Sequence, residues 1–157
     1  MKNYPVLFLK ILLGILLIPV LFLDFYHFPL LFIDGLGSDS LYMPYLFVLM
    51  ISIYVMSVPY AISLVNTFKL LILLENKEFV SETSEKLLKI IRKMAYIVAG
   101  VFLVDLPFIY ILAQMDDAPG LIIIGLFLMV FSLGIAMFAN LIKKFISEQR
   151  NEKSINI

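Results

Sequence analysis

Few side chains in this sequence could do chemistry, and His27 is foremost among them. It is the single histidine in 157 residues, and no cysteine is present, so a disulfide, a thiolate nucleophile and a cysteine-built metal site are excluded. Asp24 lies three residues earlier, on the same face of any helix that reaches this far. The two could form a proton or metal site. Alternatively, they are a polar pair at a membrane interface beside Tyr26.

Asp105 is the acid that lies furthest inside an apolar stretch, eleven residues after Met94. Acidic side chains within a membrane are costly and are functional candidates by default. Pro107, two residues later, frees a backbone carbonyl nearby. We therefore predict a candidate intramembrane polar site from Asp105, Asp24 and His27. The alternative is that Asp105 lies near the outer headgroups.

The patterns typical of enzymes do not occur in the sequence. It has no glycine-rich phosphate loop, no H-E-x-x-H and no nucleophile elbow. The pair of Asp24 and His27 offers too few ligands for zinc without help from other loops. We predict no catalytic residue, no metal and no cofactor.

The elements that must position these residues are apolar helices. Hydrophobic residues make up 62% of the chain and charged residues 15%, and the mean hydropathy is +1.04. Soluble domains contain about 45–50% apolar and about 25% charged residues, and a domain this small cannot bury such an excess. A soluble globular protein is therefore excluded. Four stretches reach the roughly 20 apolar residues that cross a bilayer: about 6–28, 45–65, 94–112 and 121–141.

The basic residues all fall on one side of a membrane crossed four times. Two precede or begin the first span, six lie between the second and third, and four follow the fourth. The positive-inside rule then predicts a cell-membrane protein with both termini cytoplasmic. Six acids accompany these basic residues, which argues against direct binding of nucleic acid.

The segment between the second and third spans predicts a cytoplasmic helical hairpin over residues 66–93. Ser81 can cap its second helix, and Glu82 and Glu85 then lie in the first turn, each with a lysine four residues later. Residues 142–157 are interpreted as a loose cytoplasmic tail. The predicted fold class is all-α: an integral membrane four-helix bundle with a cytoplasmic extension of helices 2 and 3.

One face of the hairpin's second helix combines apolar and basic side chains, a pattern that a partner helix could bind. Alternatively, its apolar row packs on the extension of helix 2. Small residues in the third and fourth spans allow close packing, either within the chain or in a homodimer. The candidate partner-binding residues are Leu87, Ile90, Ile91, Lys86 and Lys89.

Short polar stretches carry a resemblance to a known family: Asp116-Asp117-Ala118-Pro119-Gly120, Phe68-Lys69-Leu70-Leu71, Asn76-Lys77-Glu78-Phe79 and Phe8-Leu9-Lys10. In these the chain resembles the bacterial membrane family catalogued as domain of unknown function 2975, the YoaS-like proteins. The resemblance implies a small four-helix membrane protein without an established activity. Members are often encoded beside a very small helix-turn-helix regulator, which suggests that the membrane protein holds or modulates it.

These observations predict a non-enzymatic, multi-pass protein whose direct environment is the lipid bilayer. Its predicted role is regulatory or docking, with a cytoplasmic face that binds a partner such as a small helix-turn-helix regulator. The alternative is a transporter subunit or an immunity-type protein that acts within the bilayer.

Overall fold

The computed structural model describes residues 4–22, 26, 29–30, 33 and 43–155, without the side chains of 4–5, 19–20 and 153–155. Within these ranges the chain is helical and contains no strand, so the all-α prediction is confirmed. The four helices are α1 (Tyr4–Phe22), α2 (Met43–Glu75), α3 (Glu82–Met115) and α4 (Gly120–Ile155).

Among the described residues, three helices are long and apolar enough to cross a membrane: α2, α3 and α4, with 33, 34 and 36 residues. At 1.5 Å per residue each is about 50 Å long, so each exceeds the roughly 30 Å of bilayer hydrocarbon. The last three predicted spans lie inside these helices. The predicted span 6–28 continues past the end of α1 at Phe22, where several residues lie outside the described ranges.

The turn between α2 and α3 is closed by hydrogen bonds at both ends. Lys77 adopts a left-handed backbone with φ 61°, and the next N–H, of Glu78, donates to Leu73 O at 2.9 Å. This is the Schellman closure of a helix C-terminus, made here by a lysine in place of glycine. Ser81 then accepts a hydrogen bond from the N–H of Ser84 at 3.3 Å, which confirms its prediction as the cap of α3.

The acidic turn between α3 and α4 closes in the same way. Asp117 has φ 50°, a conformation that aspartate tolerates better than most residues. The N–H of Ala118 donates to Ala113 O at 2.9 Å, and Pro119 follows directly. The turn therefore places α3 and α4 side by side as an antiparallel hairpin.

Extensive contacts join each helix to the next one along the chain, and those between α3 and α4 are the most extensive. Small residues line this interface. A Cβ added to Gly125 of α4 would lie 3.0 Å from Ile109 Cδ1 of α3. By contrast, Gly100 and Gly134 are exposed, and a Cβ there would meet no atom within 4 Å. The buried small residues of these two helices are Ser84, Ala95, Ala99, Ala113, Gly125, Ser132, Ala136 and Ala139.

The interpretation of residues 142–157 as a loose tail is wrong for the part that the structure describes. Helix α4 continues to Ile155, and Ile146 is fully buried in a cluster with Leu88 and Ile91 of α3. The cause is an apolar stripe, Ala139, Ile142 and Ile146, whose spacing of three and four residues keeps one face of α4 against α3.

Candidate functional site

Asp105 lies between α2 and α3 with only 2% of its surface exposed. Its Oδ1 accepts a hydrogen bond of 2.6 Å from the hydroxyl of Ser52 on α2. Along α3 it lies eleven residues after Met94 and ten before Met115, at the middle of the stretch free of other charges. Its carboxyl group thus faces a neighbouring helix at the centre of the apolar part of the molecule.

A buried carboxyl group with one hydroxyl partner can bind and release a proton. In a nucleophilic catalytic set the carboxylate would act as the base of the serine, and a third group would orient that base. Among the described residues, no three His, Asp or Glu side chains lie close enough together to hold a metal ion. Asp24 and His27, the other predicted members of this site, lie outside the described residues.

Ser52 is the residue of this site that the sequence did not reveal. A serine in an apolar helix commonly bonds to the backbone of its own helix. Ser57, one and a half turns later, does so, donating to Tyr54 O at 2.8 Å. Nothing in their sequence context separates the two serines, because the partner of Ser52 is 53 residues away.

Polar contacts gather at the opposite end of α3 from its acidic turn. We call this the basic end: the start of α1, the end of α2, the first turns of α3 and the last turns of α4. Lys10 of α1 pairs with Glu75 of α2. Arg92 Nη1 of α3 donates to Asn140 Oδ1 of α4 at 2.5 Å. The fold therefore brings together basic residues that the sequence distributes over separate segments.

The predicted partner-binding residues separate into an inner and an outer set. Leu87 and Ile91 are buried, so the apolar row packs within the chain. Ile91 packs on α4 as well as on Leu70 of α2, whereas the sequence suggested α2 alone. Ile90 remains 38% exposed, and the basic residues Lys86 and Lys89 are exposed beside it.

Two acids in the first turn of α3 have different partners. Glu82 pairs with Lys86 at 2.8 Å as predicted, and the hydrogen bond from Lys86 lowers the pKa of the exposed Glu82 carboxyl. Glu85 was predicted to pair with Lys89. Instead, Arg150 Nη1 of α4 lies 3.3 Å from its Oε1. The spacing along α3 allowed Lys89, but the end of α4 supplies a cation on the buried side of the helix.

Comparison with known proteins identifies the family of this chain. A family model described as "Protein of unknown function (DUF2975)" matches residues 31–149. The chain belongs to this family. A relative, "Uncharacterized membrane protein YoaS" of Bacillus subtilis (strain 168), is 33% identical over 158 residues, which cover 99% of this chain and 98% of that protein. No solved structure matches.

Membership in this family confirms the resemblance seen in the polar stretches. The chain is a membrane protein of an uncharacterised family with several apolar helices. The family match covers α2, α3 and most of α4, and so includes both Ser52 and Asp105. It ends one residue before Arg150.

Proposed function

We propose that this family member is a non-enzymatic docking protein whose basic end faces the cytoplasm and binds a protein partner. The observation that carries the proposal is the packed unit at that end. There Leu88 and Ile91 of α3 pack with Ile146 of α4, and Leu70 of α2 covers them. An ordered unit of this kind presents a fixed surface to the cytosol.

The lengths of the helices support a unit that projects from the bilayer. From Met94 to Met115, α3 has 22 residues, or about 33 Å of helix, which matches the hydrocarbon thickness. Residues 82–93 then extend beyond it. These twelve residues carry six charges, which favour water over hydrocarbon.

Contacts of α1 support a fourth crossing with both termini cytoplasmic. Lys10 reaches Glu75 at the basic end, and the hydroxyl of Tyr60 on α2 donates to Leu16 O at 3.1 Å. Helix α1 therefore runs antiparallel to α2. Its 19 residues are about 28 Å long, close to one bilayer crossing.

The exposed face of α3 determines the kind of partner. Lys86, Lys89 and Ile90 lie together on it, so the complementary surface carries acidic groups around an apolar contact. The partner class that the resemblance implies is a small helix-turn-helix regulator, and the proposal requires that one of its helices carries such a surface. Leu87 and Ile91 act indirectly, because they hold α3 in place from inside.

The test is retention of a purified partner by membranes that contain the full-length chain. The partner is the small helix-turn-helix regulator encoded nearest the gene. We expect Lys86→Glu with Ile90→Ser to abolish retention at an unchanged membrane level. The matched control is Lys77→Glu with Phe145→Ser, which also reverses one lysine and replaces one exposed apolar residue by serine at the same end, but off the α3 face. Failure of the parent chain to retain the regulator would contradict the proposal.

The burial of Asp105 favours a second candidate, a transporter subunit or immunity-type protein that acts within the bilayer. A carboxyl group at 2% exposure with a hydroxyl partner is the arrangement of a proton-carrying site. Asp105→Asn would then abolish the cellular effect of the gene while Lys86→Glu with Ile90→Ser left it intact. The opposite pattern supports docking.

A further inference from the structure

A shallow groove on the exposed face of α3 lies where the charged part of the helix meets its apolar part. Its volume is about 370 Å³. Three cations line the part nearer the start of α3. Two large side chains, one aromatic and one aliphatic, line the part nearer the apolar stretch of the helix. The lining residues are Lys89, Arg92, Lys93, Tyr96 and Ile97.

The four acids of the basic end that form ion pairs do so with cations outside this groove. Glu82 contacts Lys86, Glu85 contacts Arg150, Glu75 contacts Lys10, and Glu148 contacts Lys144. In the part of the chain that the structure describes, no carboxylate lies within 4.0 Å of a cationic nitrogen of the groove. The groove therefore carries three positive charges that form no ion pair with the described residues.

Arg92 is the one cation of the groove that is fixed in place. It donates to the side-chain carbonyl of Asn140 at 2.5 Å. Because this partner is neutral, the bond orients the guanidinium and leaves its charge available. An oriented guanidinium with two flexible lysines is well suited to phosphate oxygens.

After the cations, the same face of α3 becomes apolar and exposed. Tyr96 and Ile97 are exposed, and Gly100 follows one turn later with no atom within 4 Å of an added Cβ. Leu103 and Val104 continue the exposed apolar face. The cations are thus followed by an apolar surface with a notch at Gly100. This arrangement matches a molecule with a phosphate at one end and a hydrocarbon chain at the other.

We propose that this groove binds an anionic phospholipid, with its phosphate on Lys89, Arg92 and Lys93 and an acyl chain along Tyr96 and Gly100. A free phosphate would use only the cations and would leave the apolar notch open. The site goes beyond the proposed docking role, since its other four lining residues follow Ile90 toward the apolar part of α3 and it shares only Lys89 with that surface.

The experiment titrates phosphatidylglycerol into the purified full-length chain in a neutral detergent and follows binding by native mass spectrometry and by the melting temperature. The test variant is Lys89→Gln with Arg92→Gln and Lys93→Gln. The control, Lys69→Gln with Lys77→Gln and Lys143→Gln, removes the same charge from other positions at the basic end. We expect the apparent affinity to fall about 30-fold in the test variant, equivalent to about 2 kcal/mol, and less than threefold in the control.

Additional measurements distinguish a phospholipid from a free phosphate as the ligand, and control for a folding defect in the test variant. Phosphatidylcholine, inorganic phosphate and glycerol phosphate should each give less than a tenth of the stabilisation that phosphatidylglycerol gives. Lys89→Gln with Lys93→Gln keeps the bond from Arg92 to Asn140 and should still weaken binding. Equal losses in the test and control variants, or equal stabilisation by inorganic phosphate, would overturn the proposal.

Discussion

Glu85 in the first turn of α3 and Arg150 near the end of α4 meet across the basic end, with 3.3 Å between Oε1 and Nη1. The Glu85 oxygen is buried and accepts no hydrogen bond of good geometry, so the contact with Arg150 is mainly electrostatic. This pair fixes the end of α4 beside the beginning of α3, over the cluster that contains Ile146.

We expect Arg150→Ala to lower the stability of the chain by about 1 kcal/mol. The substitution leaves a mostly buried carboxylate without its cation, although the 41% exposure of the arginine side chain limits the cost. Lys144→Ala, which removes an exposed pair 3.9 Å long, should cost only a few tenths of a kcal/mol. The measurement is thermal unfolding in detergent. Glu85→Gln should restore part of the loss in Arg150→Ala, and equal losses in the two single variants would contradict this role for the pair.

Ser52→Ala should destabilise the chain by about 1 kcal/mol, because it removes the hydroxyl donor of a buried carboxylate. Ser57→Ala is the control on the same helix, since that hydroxyl bonds only within α2. Asp105→Asn keeps an acceptor for Ser52 and should melt close to the parent chain. The three variants are compared by unfolding in one detergent. A Ser57→Ala variant as unstable as Ser52→Ala would contradict the importance of the contact between α2 and α3.

A large side chain at Gly125 should force α3 and α4 apart. Even a Cβ would lie 3.0 Å from Ile109 Cδ1 and 3.5 Å from Leu106 Cδ2, so Gly125→Leu overpacks the interface and should cost about 1–3 kcal/mol. Gly134→Leu adds the same side chain on the open face of α4 and should be neutral or stabilising, since leucine favours helix over glycine. Melting temperatures in detergent test the pair. Similar melting temperatures for the two variants would show that the close approach of the helices at Gly125 does not contribute to stability.

The arrangement of charges predicts the topology, and reporter fusions can check it. We expect fusions after Asp39 and Asp117 to report the outer side, and fusions after Glu82 and Ile157 to report the cytoplasm. The reason is that the contact between Lys10 and Glu75 places the start of α1 at the same end as the first turns of α3. A reporter that is active on the outer side after Glu82 would contradict this orientation.

What the sequence predicted correctly was local. The cap at Ser81 and the pair of Glu82 with Lys86 depend on residues three or four apart, and apolar stretches about twenty residues long identify α2, α3 and α4. The contacts that the sequence did not reveal join distant segments. Ser52 is 53 residues from Asp105, and Arg150 is 65 residues from Glu85.

The same limit applies around the candidate sites. Leu87, Ile90 and Ile91 form one apolar row in the sequence, which does not show that packing against neighbouring helices buries Leu87 and Ile91 and leaves Ile90 exposed. Residues after 142 looked loose because their charges obscured a stripe that begins at Ala139. In both cases α4 supplied the missing information, because it packs against a helix that precedes it.

The packing of each helix on the next has a consequence for biogenesis. During synthesis, α1 leaves the ribosome before α2, yet in the described part of the chain its interface with α2 is the least extensive of the three. The most extensive interface, between α3 and α4, can form only after the other two. Arg150 is made 65 residues after Glu85, so this ion pair can form only once α4 has been synthesised. A chain interrupted before that point would contain the earlier helices but would lack the ion pair between Glu85 and Arg150 at the basic end.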